Sequence, residues 1–181
     1  MRKVGQELPK VFLQTGDCFF GVAPTLITTV LGSCVAVTMH VPKMGIGAIC
    51  HAFLPDSSAG KRGGNEPQIC RFVDTALQNM LESMDKVGVP RRDLVLKLFG
   101  GSSGIAVRGM EYSSYDIGRR NVEMARKLLR FARLELTAQD VGGNQGRKLL
   151  FNTRSGEVWI KRLRQVAFEK QDGDGTRGTK F

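Results

Sequence analysis

Hydrophobic and polar positions in the first third of the chain fall into short runs of the kind that form β-strands. Residues 11–14 and 18–22 flank Thr15-Gly16-Asp17 and read as a hairpin. Residues 26–31 form a β-branched run ending at Gly32-Ser33, and residues 34–41 stay largely apolar up to Pro42. Another run, 46–54, stops at Pro55. Both prolines lack the N–H that a ladder needs, so both end strands. The polar, Gly/Ser-rich stretch 56–67 reads as a surface connection or as a flap over a neighbouring site.

The period then changes. Ile69, Phe72, Val73, Ala76, Leu77, Met80, Leu81, Met84 and Val87 recur at three- and four-residue steps, which puts one stripe of a helix against a core. Gly88 and Pro90 stand where that helix should stop. Residues 94–99 alternate as a strand before the turn Gly100-Gly101-Ser102-Ser103-Gly104. A second helix spans 117–133, with Val122, Ala125, Leu128, Leu129 and Ala132 inward and its arginines outward. Residues 134–138 read as a strand, and 148–152 with 157–163 as a hairpin around Thr153-Arg154-Ser155-Gly156. Many strands with two helices predict one α+β layered domain over residues 1–168, followed by a frayed polar tail over 169–181.

Composition narrows the class. A chain of 181 residues with 41% hydrophobic and 24% charged positions can build a core without a metal or disulfide staple. No apolar run approaches the length of a membrane span. The first ten residues carry no apolar signal segment, so a reducing, cytoplasmic setting and free thiols are expected. The net charge of +10 favours an acidic partner. Its basic residues, Arg147-Lys148 among them, are scattered and read as a solvated surface. Aromatics at 7%, mostly Phe in apolar contexts, speak against a base-stacking surface.

The four cysteines, at 18, 34, 50 and 70, include no C-x-x-C pair, and their gaps match no metal-site spacing. Cys34 is the one with a candidate chemical partner, because His51 follows it by 17 residues across the turn Pro42-Lys43-Met44-Gly45. An imidazole can take the proton of a nucleophilic thiol. With Lys43-Met44 as a two-residue loop, paired positions sum to 87, Cys34 opposes Phe53, and His51 lies diagonally on the same face. A sum of 85 would set Cys34 and His51 directly opposite, and an even sum would send them to opposite faces. Thr28, six residues before Cys34, can orient the imidazole through its hydroxyl or its carbonyl. Cys50 should point to the other face and be buried, and His40, at a strand end, should be solvated.

These residues also carry a resemblance. Thr28-Thr29-Val30-Leu31-Gly32-Ser33-Cys34-Val35-Ala36-Val37, Gly45-Ile46-Gly47-Ala48 and His51-Ala52-Phe53-Leu54-Pro55 resemble the CheD family of chemoreceptor glutamine deamidases. So do Arg71-Phe72-Val73-Asp74-Thr75-Ala76-Leu77, Lys97-Leu98-Phe99-Gly100-Gly101, Ile117-Gly118-Arg119-Arg120-Asn121, and Asp140-Val141-Gly142-Gly143 with Gly146-Arg147-Lys148. The likeness spans residues 10–165 in order. It departs at Val41, where the family usually has an acidic residue, and at Ala48, where it has a second glycine.

The resemblance implies a three-layer α/β/β sandwich, similar to the catalytic domain of bacterial deamidating toxins. It implies a Cys34–His51–Thr28 triad that needs no cofactor or metal. The implied activity is hydrolysis of receptor glutamine side chains to glutamate through a thioester, with receptor methylesterase activity in some relatives. The implied substrates are methyl-accepting chemotaxis receptors, and the implied regulator is a CheC-type phosphatase. Neither nucleic acid nor membrane insertion belongs to this picture. The competing reading is a non-catalytic basic module that grips an acidic protein or nucleic acid. An activated Cys34 should alkylate faster near neutral pH than the other three cysteines.

Overall fold

The computed structural model describes residues 7–60, 69–103 and 113–163, without the side chains of 59, 60 and 113–116. The tail 169–181 and most of the loop 56–67 lie outside the described residues. Among the described residues the strands are β1 (Lys10–Phe12), β2 (Cys18–Gly21), β3 (Leu26–Leu31), β4 (Val35–Val41) and β5 (Ile46–Cys50), then β6 (Val95–Gly100), β7 (Leu136–Val141), β8 (Arg147–Asn152) and β9 (Val158–Arg162). The helices are α1 (Val73–Lys86) and α2 (Ser113–Phe131).

The strands form two sheets, ordered β1-β3-β8-β9 and β2-β5-β4-β6-β7. The five-stranded sheet is the middle layer. From β4, Val35, Val37, Met39 and Val41 pack with Ala76, Met80 and Leu129 of the helices. On its other side Ala36, Ile49 and Phe99 pack with Ile27, Leu31, Leu149 and Phe151 of the four-stranded sheet. Covered on both faces, β4 is buried at all seven positions, which is why its sequence is nearly continuous in apolar residues. This is the expected α+β sandwich.

The β4–β5 ladder pairs Thr38 with Ile49, Met39 with Ala48, His40 with Gly47 and Val41 with Ile46. These are sum-87 pairings, but the ladder ends at Val41–Ile46, so the connection is the four residues 42–45 and not a two-residue loop. An isolated bridge between Val35 and Ala52 carries the same register up to the candidate nucleophile.

Four expectations are corrected. Residues 11–22 form no hairpin: β1 runs parallel to β3, and β2 pairs with β5 in the other sheet. The turn at Thr15-Gly16, with Gly16 at φ 88°, therefore carries the chain from one layer to the next. His40 is buried, only 4% exposed, beneath the β8–β9 turn. There Gly156 passes so close that a Cβ would lie 2.3 Å from the ring. Arg147 is wholly buried, and its guanidinium donates to the carbonyls of Gly100, Asp140 and Gly142. Cys18 and Cys70 are joined in a disulfide with their Cα atoms 5.7 Å apart, leaving Cys34 and Cys50 free. That bond ties β2 to the 3-10 turn (Ile69–Arg71) that leads into α1.

Candidate active site

His51 follows β5, where the chain stops pairing regularly but is still held at both backbone atoms. Its N–H donates to the Asp17 carbonyl, and its own carbonyl accepts from Gly16 N. The sheet-changing turn thus clasps the histidine. The ring points between the sheets, and Thr29 of β3 meets it with Oγ1 2.7 Å from Nδ1.

The tautomer follows from counting hydrogens. The single Thr29 hydroxyl proton goes to the Leu13 carbonyl at 2.9 Å, so toward the ring Oγ1 can only accept. Nδ1 therefore carries the ring hydrogen, and the Leu13 carbonyl also lies in reach of it. Nε2 is left with its lone pair, as an acceptor. It faces the exposed Thr15, whose Oγ1 stands 3.4 Å away, so the basic nitrogen is on the side of the ring that opens to solvent. Burial is the main influence on the imidazole pKa and lowers it, so the ring is neutral at pH 7 and fit to accept a proton.

Cys34 stands in the turn between β3 and β4. The Val35–Ala52 bridge, continued by one residue, sets Cys34 opposite Phe53 and makes His51 its diagonal neighbour on the same face. Cys34 packs against the same inter-sheet cluster that His51 faces, and it is partly open to solvent. The sulfur and the imidazole therefore share a side of the central sheet. Cys50 points into the helix-side core and is buried, as its alternation predicts. Desolvation pushes the Cys34 thiol up to about 11, opposed by the cysteine's own backbone N–H, which lies against its sulfur. Cys50 is likewise pushed up to about 11. The resting pair is thus thiol and neutral imidazole. Access, more than a standing thiolate, is what sets Cys34 apart from Cys50.

Of the three residues carried over by resemblance, Cys34 and His51 lie on the same side of the central sheet and the Thr28 side chain points away from them. Adjacent strand positions face opposite ways, and on β3 it is Ile27, Thr29 and Leu31 that are buried, while Thr28 pairs outward with Phe12 and Leu150. Thr28 reaches the site only through its carbonyl. That oxygen accepts from Leu13 N at 2.9 Å, and Leu13 in turn holds Thr29.

The turn bearing Cys34 is fixed from behind. Ser102 N donates to the Gly32 carbonyl, Asn121 Nδ2 to that of Ser33, and Gly101 N to that of Cys34, at 2.9, 3.0 and 2.8 Å. Asn121 also donates to the Phe53 carbonyl at 3.1 Å. The residue-by-residue reading of the sequence gave Asn121 no role, although it lies three residues after Gly118 and four before Ala125 on the inward stripe of α2. A separate cleft of about 200 Å³, lined by Pro55, Asp56, Arg120, Glu123, Met124 and Lys127, contains neither Cys34 nor His51.

Such a site can take a proton from a partly exposed thiol, receive an electrophilic carbon at sulfur and return the proton to a leaving group. Comparison with known proteins gives the family. The family described as "CheD chemotactic sensory transduction" matches residues 53–162. A Maridesulfovibrio salexigens protein called "Probable chemoreceptor glutamine deamidase CheD" is 50% identical over 165 residues, covering 90% of this chain and 96% of its own. A Geobacter sulfurreducens protein, "Probable chemoreceptor glutamine deamidase CheD 2", is 45% identical and covers 88% and 94%. A third, from Sulfurimonas denitrificans and also named chemoreceptor glutamine deamidase CheD, is 36% identical and covers 90% and 99%.

Proposed function

Since the chain belongs to the CheD family, we propose that it is a cysteine hydrolase that deamidates glutamine side chains of methyl-accepting chemotaxis receptors. The observation that carries this reading is the pairing of a partly exposed Cys34 with a His51 whose Nε2 lone pair faces the opening.

The steps follow from the protonation states. As Cys34 Sγ attacks the carboxamide carbon, its proton passes to His51 Nε2, and the carbonyl electrons move onto oxygen. The high thiol pKa and the lowered imidazole pKa couple proton loss to attack, because a free thiolate–imidazolium pair is disfavoured. The oxyanion is met by the Cys34 N–H. When the tetrahedral adduct collapses, the C–N bond breaks and the departing nitrogen takes the proton from His51, leaving as ammonia. Water, deprotonated by His51, then attacks the thioester. The S–C bond breaks, the sulfur recovers its proton, and glutamate remains.

Thr29 and the Leu13 carbonyl hold the ring with Nε2 outward and stabilise the imidazolium that forms in passing; Thr28 contributes through its backbone. A glutamyl methyl ester fits the same sequence with methanol as the leaving group. The family likeness extends the reading to a CheC-type phosphatase as regulator and to a cytoplasmic location, and the net charge of +10 suits an acidic receptor surface. Mass spectrometry of a receptor cytoplasmic fragment, before and after incubation with the protein, tests the reading. Conversion of glutamine to glutamate should appear with the native chain and vanish with Cys34→Ala. Full conversion by Cys34→Ala would remove the cysteine mechanism, and no conversion by the native chain would return the protein to the class of basic binding modules.

A further inference from the structure

We propose that Asn121 is a positioning residue for this reaction: it holds the Ser33–Cys34 peptide in the one orientation that presents an oxyanion hole. The inference rests on the deamidase reading and adds to it a residue remote in sequence.

A peptide unit is planar and trans, so its C=O and N–H point in opposite directions. Whatever fixes the Ser33 carbonyl therefore aims the Cys34 N–H. Among the described residues, the donor that takes the Ser33 carbonyl is Asn121 Nδ2. The neighbouring carbonyls of Gly32 and Cys34 are taken by the backbone N–H groups of Ser102 and Gly101, which no substitution there short of proline removes. Three successive carbonyls are thus drawn back toward the α2 side of the turn. The Cys34 N–H is left facing its own sulfur, the place where a carbonyl under attack would develop charge. Only the middle clamp depends on a side chain.

The local build fits this role. Gly118, one turn before Asn121, lets α2 touch the backbone of residues 101 and 102: a Cβ there would lie 2.8 and 2.7 Å from their carbonyl oxygens. That close approach brings a side chain as short as asparagine within reach of the nucleophile turn. The second Nδ2 hydrogen goes to the Phe53 carbonyl, two residues past His51, so one amide group spans the segments carrying both reacting side chains. Asn121 is completely buried, yet its Oδ1 has no partner among the described residues. An amide kept there at that cost is explained by what its nitrogen does.

Freed of the clamp, the Ser33–Cys34 peptide can flip, which turns the carbonyl into the cleft and hides the N–H. Asn121→Ser is too short to reach either carbonyl, and Asn121→Asp keeps the shape but offers only acceptors. Each should lower kcat for receptor deamidation by about 10²- to 10³-fold, the usual loss for one oxyanion donor, with KM within about threefold of the native value. Alkylation of Cys34 by iodoacetamide needs no oxyanion donor, so its rate should stay within about threefold. A peptide aldehyde bearing glutamate semialdehyde, which adds to the thiol and places its oxygen in the hole, should bind both variants correspondingly less tightly. Thr153→Val, which removes a buried hydroxyl bonded to Thr25 N, controls for loss of stability and should leave kcat unchanged below its melting temperature.

Native kcat in either folded variant would overturn the proposal. So would a parallel fall in kcat and alkylation rate, or failure of both variants to fold, since each marks a structural role alone. Should the native chain leave receptors unmodified, the deamidase reading fails, and the ratio of aldehyde affinities between the native chain and Asn121→Ser decides the positioning role by itself.

Discussion

Two histidines sit on the same side of the central sheet, one on β4 and one just past the neighbouring β5, and only one of them is equipped for chemistry. His40 and His51 are 4% and 3% exposed, and burial is the leading cause of a lowered pKa in both. They differ in what their nitrogens meet. The His40 Nε2 lies 3.2 Å from the Arg154 carbonyl, so it must donate, and its Nδ1 lies beneath the Gly156 backbone. Lys97, which donates to the Gly156 carbonyl, closes the same turn and further disfavours a charged ring. One nitrogen of His40 holds the β8–β9 turn and the other is covered by the Gly156 backbone. His51 spends Nδ1 on Thr29 and keeps Nε2 as an acceptor 3.4 Å from the exposed Thr15 hydroxyl, on the side of the sheet that carries the partly exposed Cys34. Burial and a lowered pKa are therefore common to His40 and to the proposed base His51; an Nε2 that faces an exposed hydroxyl and not a covering turn separates them.

The sharpest way to break this contrast is to remove each ring in turn. His51→Ala should lower receptor deamidation by about 10²- to 10⁴-fold, the usual loss for a general base. His40→Ala should keep kcat and lose about 1–3 kcal/mol of stability, because the Arg154 carbonyl loses its donor in a buried site. Steady-state kinetics beside thermal melting read both. Inactive but fully stable His40→Ala would erase the distinction.

A smaller effect separates the two threonines of β3. Thr29→Val should lower kcat by about tenfold, as the ring loses the acceptor on its Nδ1 hydrogen and only Leu13 remains. Thr28→Val should change kcat by less than about threefold, because Thr28 acts through a carbonyl that valine retains. The reverse order would put the orienting hydroxyl back at position 28.

That pair also marks where the sequence stopped being legible. The sum-87 β4–β5 register was one of those the sequence allowed, reached here with a four-residue connection in place of the supposed two-residue loop. Either odd-sum register would set Cys34 and His51 on one face, whereas an even sum would have parted them, so the spacing permitted the pair without requiring it. The phase of β3 was hidden. In Leu-Ile-Thr-Thr-Val-Leu both alternating sets hold two aliphatics and one threonine, so nothing in the run says which faces the core. Partner choice was equally hidden: β1 and β2 have strand-like patterns, but a pattern does not name the neighbouring strand, and each joined a different sheet. Arg147 was misread for another reason. It was grouped with Lys148 by charge, whereas its alternation with Leu149 and Phe151 already placed it inside. The Cys18–Cys70 bond spans 52 residues, a separation at which chain topology and not local pattern decides contact.

The smallest expected effect is a displacement of the pH profile, and it sharpens the contrast from the side of His51. In kcat/KM the free enzyme's base must be neutral, and desolvation places the His51 pKa below the ordinary 6.5. Activity should therefore hold as pH falls through 6.5 and decline only beneath it. Stability moves in the same window. Between the folded and unfolded pKa values the unfolded chain binds the extra proton, so this contribution is complete above about 6.5 and is lost as pH falls toward the folded value. Circular dichroism at each pH separates the two causes. On the alkaline side, a thiol near 11 gives no limb around the usual cysteine value, because the proton leaves only during attack. An acid limb centred at or above 6.5, or a thiolate limb near 8, would instead describe a solvated imidazole or a preformed ion pair. Either result would contradict the buried, neutral His51–Cys34 pair on which the difference from His40 depends.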